Sequence, residues 1–354
     1  MAPKKIIALA LALLCLASAV FGVGCKSSPA ALTLGSVTVT EDVYAYWLSC
    51  YKYLYLSNFM ELGIQDTEEG WNTVYKDGKS YGEVFRDAIE QDLRRRIAAS
   101  ALFDENGLVL SSSARQEIAS VLDDVFYYEE GADRNAAFGK YGTDEVGARQ
   151  VAIFEKKYDL YFTALFGADQ SKVLEETYRE EADAYYEAHV RRVKVIFVPK
   201  GTDCSDLAAD MPEMTERDFD YYAEKYHDDA TLDFTEFPEG LFLIDEADYT
   251  RTSLIEYPEM LQIALRSEMM QGLFTSTSEG TYFVYRCLLP EGGYRDEANA
   301  EMLSEFAYFC AHSIYLDHLN EKAKEIEVLP ACPALPMHEI LKNGEYNVVK
   351  MMGN

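Results

Sequence analysis

Basic residues are scarce in this chain of 354 residues. Lys and Arg number 32 against 61 Asp and Glu, which gives a formal net charge of −29 at pH 7. A surface of this sign repels phosphate backbones, so nucleic acid is excluded as a partner. The acids are spread along the predicted helices rather than gathered in one block. We interpret them as a solvated surface that favours solubility and weakly attracts basic partners.

Cysteines are few, and they show neither a C-x-x-C pair nor the Cys/His spacing that holds zinc. Two of the seven, Cys15 and Cys25, lie in or directly after the apolar amino-terminal stretch. The others are odd in number and do not define a disulfide framework, so their redox state is left open: Cys50, Cys204, Cys287, Cys310 and Cys332. We predict no metal and no cofactor.

Several catalytic motifs are absent. The chain has no G-x-G-x-x-G, no G-x-x-x-x-G-K-[ST] and no G-x-S-x-G, so neither a nucleotide cradle nor a nucleophile elbow is predicted. His312 and His318 are six residues apart on a predicted helix and do not share a face as i,i+4 ligands would. Acid pairs such as Asp228–Asp229 are too common in an acidic chain to indicate a glycosidase.

The amino-terminal 24 residues have the pattern of a secretory signal. Lys4 and Lys5 precede an uncharged apolar stretch at 6–23. The ending F-G-V-G-C resembles a bacterial lipobox, which implies that Cys25 is lipidated and anchors the protein on the extracytoplasmic face of a bacterial cell membrane. Residues 25–35 would then be a tether. The stretch is also close to the length of a membrane span, so an uncleaved anchor is the alternative.

Most of the mature chain has helical periodicity. The segment V-Y-A-Y-W-L-S-C-Y-K-Y-L-Y-L-S-N-F (43–59) is apolar nearly all round, which predicts a helix that is buried or faces a partner. The pattern changes at V-R-R-V-K-V-I-F-V-P-K (190–200), a β-branched run that predicts a strand. Further predictions are strands at 32–40 and 281–288, and helices at about 81–104, 145–166, 169–189, 214–226, 257–267 and 296–325.

These elements predict an α+β protein with an inserted domain. An α-β-α-β unit at 190–289 lies between helical segments at 36–189 and 290–330, which we expect to pack together as one helical lobe. Residues 331–354 follow Pro330, contain Pro333 and Pro336, and are expected to be a peripheral tail.

Four segments, in this order, resemble one known family. E-A-D-A-Y-Y-E-A-H-V-R-R-V-K-V-I-F-V (181–198), F-D-Y-Y-A-E-K-Y-H-D-D (219–229), Y-P-E-M-L-Q-I-A-L (257–265) and S-E-G-T-Y-F-V-Y-R (278–286) are similar to the extracytoplasmic foldase lipoproteins of the PrsA type and to their periplasmic relative SurA. The resemblance covers nearly the whole mature chain. It implies a helical chaperone lobe made from both chain ends, with an inserted small parvulin-like α/β domain at 190–289.

The resemblance also implies where a peptidyl-prolyl isomerase site would lie. The two family His positions fall on Val195 and Tyr282, the polar position falls on Asp229, and two pocket positions fall on Glu256 and Met260. Two interpretations follow and stay open here. The domain is either a weak isomerase that uses Asp229, Tyr282 and Met260, or a non-catalytic module kept for packing or client contact.

The family function implies unfolded or exported polypeptides as partners. Tyr44, Trp47, Tyr51 and Tyr55 are the candidate client-binding residues, because Tyr and Trp suit wet binding surfaces; core packing is the alternative for each. The oligomeric state is left open between a monomer and a homodimer. Two other functions are kept as alternatives: a non-catalytic lipoprotein of an envelope assembly, and a solute-binding lipoprotein, which would need two α/β lobes.

Overall fold

The computed structural model describes residues 28–58, 63–127, 133–139, 142–226, 240–245, 258–334 and 336–340. These residues form both helices and β-sheets, which confirms the predicted α+β class. The chain divides into two compact units. Unit 1 comprises residues 1–159 and 320–354, so it draws on both ends of the chain, and unit 2 comprises residues 160–319.

The described helices and strands have the following bounds. The helices are α1 (Glu41–Asn58), α2 (Glu68–Asn72), α3 (Tyr81–Glu105), α4 (Ser112–Tyr127), α5 (Arg134–Gly139), α6 (Glu145–Phe166), α7 (Arg179–His189), α8 (Ser205–Asp210), α9 (Glu216–Tyr226), α10 (Pro258–Arg266) and α11 (Phe306–Ala323). The strands are β1 (Ala30–Leu34), β2 (Val37–Thr40), β3 (Val74–Lys76), β4 (Lys79–Ser80), β5 (Val190–Pro199), β6 (Leu241–Ile244), β7 (Gly272–Ser276), β8 (Gly280–Cys287) and β9 (Glu327–Val328).

Unit 1 contains a small antiparallel sheet with the order β2-β1-β9. The segment 32–40, predicted as one strand, is two strands that turn at Gly35, whose φ of +58° is in the left-handed region that glycine tolerates. On its other edge β1 pairs with β9, where Leu32 lies opposite Val328. The carboxyl-terminal part of unit 1 is thereby joined to its first strand.

The all-round apolar helix α1 is buried in unit 1, one of the two placements predicted for it. The rings of Tyr44, Trp47 and Tyr51 are at most 3% exposed. Trp47 stacks on Phe154 with ring centroids 5.0 Å apart. These side chains therefore contribute to the core, where the driving force is removal of aromatic surface from water.

A partly buried ion pair lies against this core. Glu155 of α6 accepts hydrogen bonds from the Trp47 indole at 2.9 Å, from the Tyr51 hydroxyl at 3.2 Å and from the Arg96 guanidinium at 2.6 Å. The guanidinium also lies against the rings of Tyr51 and Tyr158, 4.9 and 4.6 Å from their centroids. Burial disfavours the charged form of Arg96, but the Glu155 carboxylate outweighs it and raises the pKa of the guanidinium.

Unit 2 is built around a four-stranded antiparallel sheet with the order β6-β5-β8-β7. The predicted change of pattern at Val190 is confirmed, because β5 begins there directly after α7. The pairing of β5 with β8 is the longest in the sheet and runs from Arg192–Cys287 to Pro199–Gly280. The strands of the proposed inserted domain therefore lie within residues 190–287.

Each face of this sheet is covered by helix. Along β5, Val193, Val195 and Phe197 point to one face, where α10 packs, and Ile196 and Val198 point to the other. The second face packs against residues of α8 and α9, including Leu207 and Phe219. Because both faces are buried, β5 has a nearly continuous apolar run instead of strict alternation.

Two predicted helices are shorter than expected. In the segment 169–189, the regular helix begins only at Arg179, after 3₁₀ turns at Ser171–Leu174 and Glu176–Tyr178. Gln170 has a φ of +59°, which no α-helix accommodates. In the segment 296–325, α11 begins at Phe306.

Replacement of the Glu155 carboxylate tests how much its ion pair with Arg96 contributes to the stability of the protein. We expect Glu155→Gln to lower the free energy of unfolding by about 3 kcal/mol, because it leaves the partly buried Arg96 charge without its counter-ion. Urea unfolding followed by circular dichroism measures the loss. The matched control is Glu117→Gln, which removes an exposed partner of Lys156 and should cost less than about 1 kcal/mol. Equal losses in the two variants would contradict the role given to this ion pair.

Candidate functional site

The two positions that match the family's histidines lie on one face of the unit 2 sheet. In the β5–β8 register Val195 is opposite Val284, and Tyr282 is opposite Phe197. These four side chains belong to the same apolar cluster. Val195 is 5% and Tyr282 6% exposed, so both predicted positions are buried side by side rather than facing solvent.

Helix α10 brings the third candidate to the same cluster. Met260 is fully buried and packs there with Leu261 and Ala264. The Tyr282 ring lies 4.8 Å from that of Phe197, centroid to centroid. The structure thus brings Tyr282 and Met260 together, whereas Asp229 and Glu256 lie outside the described residues. Within the described part of the cluster, Tyr282 is the side chain that carries a hydroxyl group.

A charged group that the sequence reasoning missed lies at the base of this face. Arg191 donates to Asp245 at 3.2 Å, and Arg286 donates to the Ser267 carbonyl at 2.7 Å, just after α10. Burial, and then repulsion from Arg191, lower the pKa of Arg286. Side chains two residues apart on a strand lie on the same face, so the sequence alone could have predicted that Arg191 shares the face of Val193. Arg286 ties the end of α10 to β8 and so fixes where Met260 lies.

Lys194, the neighbour of Val195, points to the opposite face. Its ammonium lies 3.1 Å from Glu216 and 2.8 Å from Asp220, both on α9. Arg192 reaches Glu216 at 3.2 Å. These pairs hold the first turns of α9 against β5, so the polar residues of this strand serve the packing of the unit.

The turn before β7 presents apolar side chains to solvent. Met269 and Met270 are 51% and 57% exposed, and Phe274 on β7 is 49% exposed. Met270 has a φ of +59°, unusual for a residue with a Cβ. Backbone hydrogen bonds fix the turn, from the Met270 N–H to the Arg286 carbonyl at 2.8 Å and from the Arg286 N–H to the Gln271 carbonyl at 3.0 Å.

This turn leads into β7, an outer strand of the unit 2 sheet. In the order β6-β5-β8-β7, β7 has β8 on one side. The short 3₁₀ turn Met211–Glu213 packs at its beginning, where a Cβ on Gly272 would lie 2.8 Å from the Met211 carbonyl oxygen. An outer strand beside exposed apolar side chains is suited to binding an extended chain, because its outward backbone groups can extend the sheet.

The predicted client-binding residues are not on a surface. Tyr44, Trp47 and Tyr51 lie in the core of unit 1, and Trp47 and Tyr51 are hydrogen-bonded to Glu155. Their placement corrects the client-contact interpretation for these three, for the physical reason that no ring surface is left for a partner. The side chain of Tyr55 lies outside the described residues.

The described residues can be compared with what a metal site, a membrane-spanning helix and a reactive thiol each require. Among them no group of three or more His, Cys, Asp and Glu side chains could hold a metal ion, and none of the helices is both long and apolar enough to span a bilayer. The five cysteines of the described part are free thiols, and Cys50, Cys287 and Cys310 are buried. Burial raises the pKa of the Cys287 and Cys310 thiols to about 12, which disfavours the reactive thiolate.

No protein-family model matches the chain, and no curated protein matches it. Among solved structures, PrsA from Bacillus subtilis is 15% identical, with 73% of this chain and 93% of that chain covered and a TM-score of 0.23. The foldase protein PrsA from Lactococcus lactis is 12% identical, with 86% and 96% covered and a TM-score of 0.22. Identities and TM-scores this low leave the family of the chain unassigned.

Proposed function

We propose that this protein is a membrane-anchored extracytoplasmic chaperone that binds unfolded exported polypeptides. The observation that carries the proposal is the exposed apolar turn and outer strand of unit 2, with Met269, Met270 and Phe274 about half exposed. Exposed apolar side chains that are held in place by backbone hydrogen bonds are costly in water and typical of interaction surfaces.

The chemistry of this surface fits partners of varied sequence. Methionine is unbranched and polarizable, so it adapts to apolar side chains of different shape. The outer edge of β7 offers main-chain hydrogen bonds, which do not depend on the sequence of the bound segment. The net charge of −29 favours segments that carry Lys or Arg and keeps the protein soluble.

The anchoring part of the proposal rests on the sequence. Residues 1–27 lie outside the described part of the chain, and the F-G-V-G-C ending supports cleavage before Cys25 and its lipidation. A lipid anchor would hold the chaperone where exported chains emerge. Two or three acyl chains on one residue give stable membrane binding, whereas a single chain would not.

The isomerase part of the family function is the weaker one for this chain. Crossing from cis to trans at proline means a barrier of roughly 18–20 kcal/mol, and lowering it requires an apolar pocket for the ring with polar groups around the rotating carbonyl. Val195, Tyr282 and Met260 are packed against one another, which favours a parvulin-like domain kept for its fold and for client contact.

A variant of the exposed apolar surface of unit 2 tests whether that surface is needed for chaperone activity. We expect the triple variant Met269→Ser, Met270→Asn, Phe274→Thr to suppress aggregation of a reduced, unfolding protein about tenfold less well than the unaltered chain, a loss of about 1.4 kcal/mol of binding free energy. Asn is chosen because it tolerates a positive φ. Light scattering measures aggregation at several-fold molar excess of chaperone.

The matched control removes exposed apolar surface elsewhere. Val109 and Val146 are 80% and 73% exposed, and Val109→Ser with Val146→Ser should leave suppression unchanged. Absence of suppression by the unaltered chain, or equal loss in both variants, would count against the proposed surface.

The rate of proline-limited refolding of a substrate protein tests whether this protein has isomerase activity. We expect the mature chain from Lys26 to leave the slow refolding phase of a proline-limited substrate unchanged, because the described residues around Tyr282 are closely packed. Stopped-flow fluorescence measures the rate. An acceleration that Tyr282→Phe or Asp229→Ala abolishes would instead establish a working isomerase site.

Substitution of Cys25 tests the anchor. We expect Cys25→Ala to abolish incorporation of radiolabelled palmitate and to leave the signal segment uncleaved, because the thiol that carries the lipid is gone. Labelling of bacteria that express the protein measures this, with Cys15→Ala as the matched control. Unchanged mass and no label in the parent chain would favour an uncleaved anchor.

A further inference from the structure

In the carboxyl-terminal segment 330–340, the described residues 330–334 and 336–340 lie along unit 1 outside any helix or strand, and two cationic side chains bind their backbone. The Arg86 guanidinium donates to the Pro333 carbonyl at 3.0 Å, and the Lys52 ammonium donates to the Ile340 carbonyl at 2.6 Å. We name residues 330–340 the tail segment. Hydrogen bonds from charged donors are about twice as strong as neutral ones.

Two side chains of the tail segment are buried, and the residues beside them are half-buried or exposed. Met337 and Ile340 are 4% and 3% exposed. Ala334, Pro336 and Glu339 are exposed. Between them His338 is half-buried and Glu339 is exposed. Residues 337–340 form a turn, and the Glu339 N–H donates to the Pro336 carbonyl at 2.9 Å, so two apolar side chains three residues apart can enter one surface.

The receiving surface on unit 1 contains a fully buried cation. Lys52 has no exposed side-chain surface; its ammonium lies 2.8 Å from Asp66 and 5.8 Å from the centre of the Trp71 ring. Burial lowers the pKa of Lys52, against the opposing effect of Asp66. A carbonyl such as that of Ile340 completes the coordination of this ammonium, and any extended peptide can supply a carbonyl.

The tail segment does not fill the groove. A cavity of about 360 Å³ lies beside it, lined on one side by Trp71, Lys79 and Arg86 and on the other by Pro336, Met337 and His338. That volume accommodates one or two large side chains, and its lining combines an indole and a methionine with two cations and the two acids Glu83 and Asp87. We name the surface formed by Lys52, Trp71, Lys79 and Arg86 the tail groove.

We propose that the tail groove is a peptide-binding site and that residues 330–340 are its occupant in cis. The partner in trans is a proline-containing segment that turns in the same way and carries two apolar side chains three residues apart. Its carbonyls would bind Arg86 and Lys52, and a large side chain would enter the cavity. The identity of that partner as an exported chain rests on the proposed function, whereas binding in the groove does not.

Displacement of the tail by mutation tests the proposal. A fluorescein-labelled peptide with the sequence of residues 330–340 and Ser at the position of Cys332 is titrated into the full mature chain by fluorescence anisotropy. Met337→Asp should bind the peptide at least tenfold more tightly than the unaltered chain, because a tethered tail competes at high effective concentration. Ala334→Asp, an exposed position on the same segment, is the matched control and should bind like the parent.

A second measurement keeps the test decisive if Met337→Asp does not fold. The same peptide with benzophenone in place of its methionine is cross-linked at saturating concentration to the unaltered chain, and the products are mapped by mass spectrometry. Cross-links within residues 71–87 support the proposal. Cross-links elsewhere, or a folded Met337→Asp variant that binds no more tightly than the parent, overturn it. The aggregation assay of the unit 2 surface variant is a separate measurement, so failure of either proposal is recognised on its own.

Discussion

The antiparallel pairing of β5 with β8 determines what can meet on each face of the unit 2 sheet. Once Val195 is opposite Val284, alternation puts Val195, Tyr282 and Arg286 on the α10 face and Lys194 on the α9 face. A shift by one residue would turn Lys194 toward the apolar α10 face and away from Glu216 and Asp220, so register and packing specify each other. The apolar site, its arginine base and the methionine turn bonded to Arg286 all follow from this one pairing.

Cations that are shielded from solvent recur in this chain, which has few basic residues: Lys52 is fully buried, and Arg96 and Arg286 are partly buried. Arg96 in unit 1, Lys52 beneath the tail segment and Arg286 beside α10 each have an acceptor: Glu155, the Ile340 carbonyl and the Ser267 carbonyl. In each case the donor and acceptor come from separate elements. A buried charge without its acceptor is strongly destabilising, so these contacts limit which alternative packings the chain can adopt.

Local pattern predicted much of this fold, and long-range partners account for what it could not predict. The start of β5 at Val190 follows from the change of hydrophobic period, whereas the all-round apolar pattern of α1 allowed either burial or contact with a partner. Aromatic residues suit protein cores and binding surfaces equally, so the sequence of α1 alone does not distinguish the two roles for Trp47 and Tyr51. Both side chains are hydrogen-bonded to Glu155, which is more than a hundred residues away in the sequence. The turn at Gly35 and the late start of α7 depend on single backbone conformations, which apolar periodicity does not detect.

The pairing of β1 with β9 has a consequence for the order in which the protein can fold. Leu32 and Val328 are separated by most of the chain, and closing so long a loop is slow. When the chain emerges amino end first, the β1–β2 hairpin forms with one edge open until residues 327–328 arrive. Unit 2, whose residues are contiguous, can be complete by then. The first sheet of the chain is therefore completed by a segment that is synthesised after the whole of unit 2.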